Sequence, residues 1–142
     1  MKPPAADTAS DSVKEVRTDR APEPVGPYSQ AVVHRGLVYA SGQIPLDPAT
    51  RTMVEGGIEA QAEQVFANLR AVLEAAGSSL ERVVRATVYL TDLSLFPRVN
   101  AVYAKHMTGD PAPARATVQA AALPLGAQVE IDAIAALDPS VN

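Results

Sequence analysis

Apolar and polar positions along this chain alternate in two periods, and the change of period marks its elements. Ser29 to Arg35 and Leu37 to Gln43 are apolar, β-branched-rich runs on either side of His34-Arg35-Gly36, which predicts a hairpin. Val13 to Thr18 predicts a short edge strand ahead of it, and Ala21-Pro-Glu-Pro-Val-Gly-Pro27 a turn-rich connection. Ile44 to Thr50 reads as a loop, Thr52 to Glu55 as a third short strand, and Gly56-Gly57 as its end. From Ile58 to Ala76 the period becomes helical: Ile58, Ala62, Val65, Phe66, Leu69, Val72, Leu73 and Ala76 form one stripe, and Gly77 stops it. Val83 to Leu90 predicts a strand. Ser94 reads as the N-cap of a second helix, with Pro97 in its first turn and Phe96, Val99, Val102, Tyr103 and His106 or Met107 as its apolar face. Gly109-Asp110-Pro111 breaks that helix. Two final strands follow, Arg115 to Ala121 and Glu130 to Leu137, joined by Leu123-Pro-Leu-Gly126.

The order β-β-(β)-α-β-α-β-β, with no internal repeat, predicts one α+β domain: a mixed sheet of about six strands with both helices on one face. The strands carry apolar residues on both faces. Leu37 and Tyr39 oppose Val38 and Ala40; Val83 and Tyr89 oppose Val84, Ala86, Val88 and Leu90. Two helices cover one face only, so a partner subunit is expected on the other.

Composition narrows the function. A net charge of −4 with no basic stripe argues against a nucleic-acid surface, and the absence of cysteine excludes disulfides and thiolate chemistry. His34 and His106 are too few and too far apart for a metal site, and Gly56-Gly57 lacks a nucleotide-cradle context. No apolar run approaches the ~20 residues that span a bilayer. No signal or transit pattern opens the chain, and a cytoplasmic protein is expected. Residues 1–12, rich in Pro, Ala, Asp and Ser, are expected to form a disordered tail before a domain over residues 13–142.

The candidate chemistry lies at the mouths of the last two strands. Arg115 shares a strand face with Thr117 and Gln119; Glu130 shares one with Asp132. Arginine grips a carboxylate through two hydrogen bonds, and glutamate can move a proton, a combination suited to a small carboxylate-bearing substrate. The ordinary readings are a strand-end arginine reaching solvent or pairing with Asp110, and an exposed strand glutamate. The short link between the strands favours an antiparallel pair, which would offset Arg115 and Glu130 by about four residues, roughly 13 Å. They would then meet across a subunit interface rather than within one chain. Tyr28 follows a rigid turn and either presents its phenol to a site or simply packs. Ser41-Gly42 ends a strand, where a glycine lets a ligand approach the backbone or merely marks a bulge. Asn100, a mediocre helix former within the second helix, is a candidate ligand contact or a local cap.

These segments together resemble the RidA (YjgF) family of reactive intermediate/imine deaminases. The resemblance is carried by Gly26-Pro-Tyr-Ser-Gln-Ala31, Ser41-Gly-Gln-Ile-Pro45, Gln61 to Asn68, Glu74-Ala-Ala-Gly-Ser78, Thr87-Val-Tyr-Leu-Thr-Asp92, Val99-Asn-Ala-Val-Tyr103, Pro113-Ala-Arg-Ala-Thr-Val118 and Val129-Glu-Ile-Asp-Ala-Ile134. It implies a chorismate-mutase-like fold, a homotrimer with clefts between subunits, and hydrolysis without cofactor or metal. The implied substrates are 2-imino acids formed from enamines that pyridoxal-phosphate enzymes release. It implies that Arg115 clamps the substrate carboxylate, that Glu130 positions or activates water, and that Tyr28, Ser41, Gly42, Asn100 and Thr117 line the cleft. Thr117 stands where many relatives have Cys. A non-catalytic ligand-binding or chaperone-like member of the fold, and a pathway-specific enamine deaminase, are the alternative readings.

Overall fold

A computed structural model describes residues 11–141. Six strands form one sheet: β1 (Lys14–Val16), β2 (Ala31–His34), β3 (Leu37–Gln43), β4 (Val83–Leu90), β5 (Ala114–Gln119) and β6 (Val129–Ala136), in the order β1-β2-β3-β6-β4-β5. Two helices, α1 (Ile58–Ala75) and α2 (Phe96–His106), complete the architecture. The expected six-stranded mixed sheet with two helices is therefore present. Of the tail expected over residues 1–12, residues 1–10 lie outside the described residues, and Asp11 pairs with Arg35.

The β2–β3 hairpin turns at Arg35 and Gly36, both at positive φ (50° and 79°), the backbone signature of a tight two-residue turn. Helix α1 ends as its sequence directs. Gly77 takes φ +87°, Ser78 N–H donates to Leu73 O at 2.8 Å and Gly77 N–H to Glu74 O at 3.1 Å, a Schellman closure. The apolar stripe of α1 meets the sheet: Phe66, Leu69 and Leu73 are fully buried against Val38 of β3, Val88 and Leu90 of β4, and Val129 and Ile131 of β6. Each such side chain contributes ~1.5–3 kcal/mol, so Leu69→Ala would cost ~2–5 kcal/mol.

Three expectations need correction. First, β5 and β6 do not pair with each other. Strand β4 lies between them, parallel to β5 and antiparallel to β6. The β4–α2–β5 crossover delivers β5 alongside β4, and residues 120–128 are long enough to carry the chain over β4 to the gap between β3 and β4. Second, Thr52–Glu55 is not a strand. It makes one isolated bridge, Met53 to Leu46, because the loop is pinned elsewhere: Asn68 in α1 donates to the carbonyls of Ile44 and Leu46 at 3.2 and 2.9 Å. Third, Ser94 does not cap α2. Asp92 Oδ1 accepts from Ser94 N–H at 2.9 Å, starting a 3-10 turn that leads into the helix.

Strand β4 carries a register shift between Val83 and Arg85. This bulge puts Val83 on the helix-covered face with Ala86, Val88 and Leu90, and leaves Val84 46% exposed, the reverse of simple alternation. On the face away from the helices, Tyr39 and Val118 are each 41% exposed.

Candidate functional site

Register decides where the two charges point. Arg115 pairs with Ala86, and Ala86 is fully buried beneath the helices, so Arg115, Thr117 and Gln119 lie on the helix side of β5. Glu130 pairs with Tyr89, whose neighbours Thr87 and Asp132 share its face, so Glu130 lies on the open side of β6. Arg115 and Glu130 thus occupy opposite faces of one sheet. They are two strands apart and three register positions apart along β4, or roughly 10 Å along and 10 Å across. The expected separation within one chain holds, by a geometry other than the expected hairpin.

The predicted residues fall into two groups. Arg115, Asn100 and Thr117 form the first. Arg115 Nη1 donates to Asn100 Oδ1 at 2.7 Å, and its guanidinium carbon lies over two rings of α2, 5.1 Å from the Phe96 centroid and 4.7 Å from that of Tyr103. Phe96, Asn100 and Tyr103 stand at i, i+4 and i+7 on one helical face, which is why they converge on one side chain. Neither Phe96 nor Tyr103 was anticipated as a site residue; that spacing beside Asn100 is the signal that reveals them. The arginine is exposed, its acceptor Asn100 is neutral, and among the described residues no carboxylate pairs with it. Tyr103 is 9% exposed; burial pushes its phenol pKa up, and the charge of Arg115 works against that.

Tyr28, Ser41, Gly42 and Glu130 form the second group. Tyr28 and Gly42 line one groove with Pro22, Val25, Gln30 and Ile44. Ser41 Oγ donates to Ser29 O at 2.6 Å, and Val25 N–H donates to Tyr28 Oη at 3.3 Å, so both hydroxyls help shape the segment before β2. That segment hangs on Gln30, which is 3% exposed. Its amide donates to the carbonyls of Thr18, Ala21 and Pro22 at 3.0, 3.2 and 3.0 Å, and its oxygen accepts from Thr18 N–H at 2.7 Å. Between β3 and β6 the register shifts from Ala40 to Gln43, and Glu130 folds its carboxylate against the backbone there. A Cβ placed on Gly42 would stand 2.0 Å from Glu130 Oε2. Glycine at 42 is thus what lets the carboxylate sit where it does. Burial raises the Glu130 pKa above its usual range, and the nearby Asp132 charge raises it further. Asp132 in turn accepts from Tyr89 Oη at 3.1 Å.

The histidines stand apart from both groups. His106 Nε2 lies 2.6 Å from Glu63 Oε1 and its ring stacks on Phe66 at 4.9 Å. Glu59 forms a two-pronged pair with Arg98 at 2.6 and 2.8 Å. Among the described residues no cluster of His, Cys, Asp or Glu could hold a metal ion, and no helix is long and apolar enough to cross a membrane.

The sequence family described as Endoribonuclease L-PSP matches residues 18–137. The chain belongs to this family, the YjgF/RidA family. This RidA-family chain is similar to Protein DfrA of Myxococcus xanthus, 59% identical over 124 residues, covering 86% of this chain and 94% of that one. It is also similar to the 2-iminobutanoate/2-iminopropanoate deaminase of Mus musculus, 44% identical over 129 residues, covering 91% and 95%. The crystal structure of RidA from an Antarctic Psychrobacter superposes with a TM-score of 0.83 at 51% identity, covering 87% of this chain and 99% of that one.

Proposed function

We propose that this RidA-family chain is an imine deaminase that hydrolyses small 2-imino acids to 2-keto acids and ammonia. The observation that carries the reading is Arg115, held by two aromatic rings and a neutral amide, with no carboxylate among the described residues paired to it. Such a guanidinium is a ready clamp for a substrate carboxylate. The mouse relative's name supports the substrate class.

Glu130 supplies the complementary chemistry. A carboxylate whose pKa is raised by burial and by Asp132 is a stronger base when ionised, and at a given pH more of it is protonated and able to act as the acid. With the substrate carboxylate on Arg115, Glu130 takes a proton from water as the oxygen bonds to the imine carbon. From the protonated imine, the resulting carbinolamine receives that proton back on nitrogen; the C–N bond then breaks as Glu130 takes the hydroxyl proton, the carbonyl forms and ammonia leaves. Tyr28, Ser41, Gly42, Asn100 and Thr117 line the cleft. Orientation accounts for most of the acceleration, because an imine is already electrophilic. No step calls for a cofactor.

Because Arg115 and Glu130 lie on opposite faces of one sheet, the working cleft joins Arg115 of one copy to Glu130 of another. A homotrimer with three such clefts also covers Tyr39 and Val118 on the open face. The test couples a serine or threonine dehydratase to the protein and follows imine decay, with molar mass measured by light scattering. Wild type should accelerate decay as a trimer, and Arg115→Ala should fall to background. Wild-type decay at the background rate would replace the enzyme reading with a binding one, a live contrast given the different name of the Myxococcus relative.

A further inference from the structure

We propose that Tyr103 is the positioning residue of the anion clamp: its ring sets where the Arg115 guanidinium stands, and its hydroxyl takes no part. This rests on the clamp reading above and adds to it. The guanidinium carbon lies 4.7 Å from the Tyr103 centroid. An aromatic face attracts a cation through its quadrupole and competes far less than a carboxylate would for the N–H fork that must meet a substrate. Asn100 accepts from one nitrogen, Nη1, which leaves the other edge of the fork free for a bidentate grip.

The ring is itself immobilised from behind. Phe66, fully buried, meets Tyr103 edge to face, with centroids 5.9 Å apart and planes at 75°. Phe66 is backed in turn by the His106 ring at 4.9 Å and 16°, and His106 is fastened to Glu63 at 2.6 Å. Packing, then, fixes the platform. The Tyr103 hydroxyl is buried and makes no hydrogen bond of ordinary geometry among the described residues, with the Arg115 guanidinium near enough to lower its pKa. A loosely met hydroxyl adds little, so the part of Tyr103 that places the guanidinium is its π face.

The test compares Tyr103→Phe with Tyr103→Leu in imine hydrolysis, in binding of 2-oxobutanoate as an unreactive carboxylate, and in the NMR shift of the Arg115 Nε proton, assigned by its loss in Arg115→Ala. The wild-type proton should be displaced upfield by the rings. Tyr103→Leu should raise KM and the 2-oxobutanoate Kd by about tenfold, with kcat changed less than threefold, because a ground-state grip is lost. It should also relax the proton shift. Tyr103→Phe should keep wild-type KM, Kd and shift. An unchanged KM in the leucine variant, or a phenylalanine variant as impaired as the leucine one, would overturn the proposal. If the leucine variant does not fold, the wild-type shift and the phenylalanine kinetics still decide. A wild type that neither binds 2-oxobutanoate nor hydrolyses imine overturns the clamp itself, whereas wild-type binding that Tyr103→Leu leaves intact overturns only the role of Tyr103.

Discussion

Gly42→Ala separates the placement of Glu130 from the stability of the fold. The added methyl would stand 2.0 Å from Glu130 Oε2, 2.9 Å from Cδ and 3.1 Å from Cγ. Ordinary contact begins near 3.4 Å, so the oxygen must retreat by about 1.4 Å. No positive φ is involved at Gly42, so alanine fits the backbone, and the end of a glutamate side chain is what yields. The structural cost is one off-rotamer side chain, about 0.5–1.5 kcal/mol, a fall of a few degrees in Tm. The catalytic cost is larger, because a misplacement of about 1 Å in a reacting group can lower the rate roughly 10²-fold. Expected, therefore, is a folded trimer with kcat/KM down about a hundredfold in the dehydratase-coupled assay. The double variant Gly42→Ala/Glu130→Gln serves as control: once the carboxylate is gone, the methyl has nothing left to displace, and the two effects should not add. Near-wild-type activity in Gly42→Ala would refute the placement of Glu130, and additive losses would refute the link between the two positions.

Three further outcomes follow from the same geometry. The raised pKa of Glu130 moves the acid limb of the kcat/KM profile above the usual 4.5, and Glu130→Gln should abolish that limb; a limb at or below 4.5 in wild type would count against the base role. Glu63 has its pKa lowered, first by the hydrogen bond from His106, so its contribution is present above 4.5 and lost as pH falls through the lower folded value. Urea melts between pH 6 and 3 should therefore show wild type losing more stability than Glu63→Gln, and parallel losses would contradict it. Gln30→Ala removes four hydrogen bonds from the segment that carries Tyr28 and should cost about 2–4 kcal/mol by urea melt while raising KM; an unchanged melt would show that this segment is held by other contacts.

Much of this was legible in the sequence where a single period governs a single element. The stripe of α1 and the alternation of Arg115, Thr117 and Gln119 needed no tertiary information. The relation between strands was not legible in the same way. Nothing in β5 or β6 alone says that β4 runs between them, and chain adjacency pointed instead to a hairpin. The β4 bulge reversed Val83 and Val84 because one extra residue flips every assignment before it. Buried amides were also invisible: Gln30, Gln61 and Asn68 look like surface residues until their hydrogen bonds to loop backbone or to Gln128 are seen. The placement of Arg115 and Glu130 on opposite faces required the full register.

Strand β5 carries Arg115 on one face and Val118 on the other, and among the described residues it borders the sheet with β4 alone beside it. In the proposed trimer, the strand that grips a carboxylate through Arg115 also buries Val118 against another copy. The two events are therefore thermodynamically linked: ligand tightens assembly by the factor by which assembly tightens ligand. Dilution should loosen the grip on substrate, and substrate should slow the exchange of subunits between differently labelled assemblies.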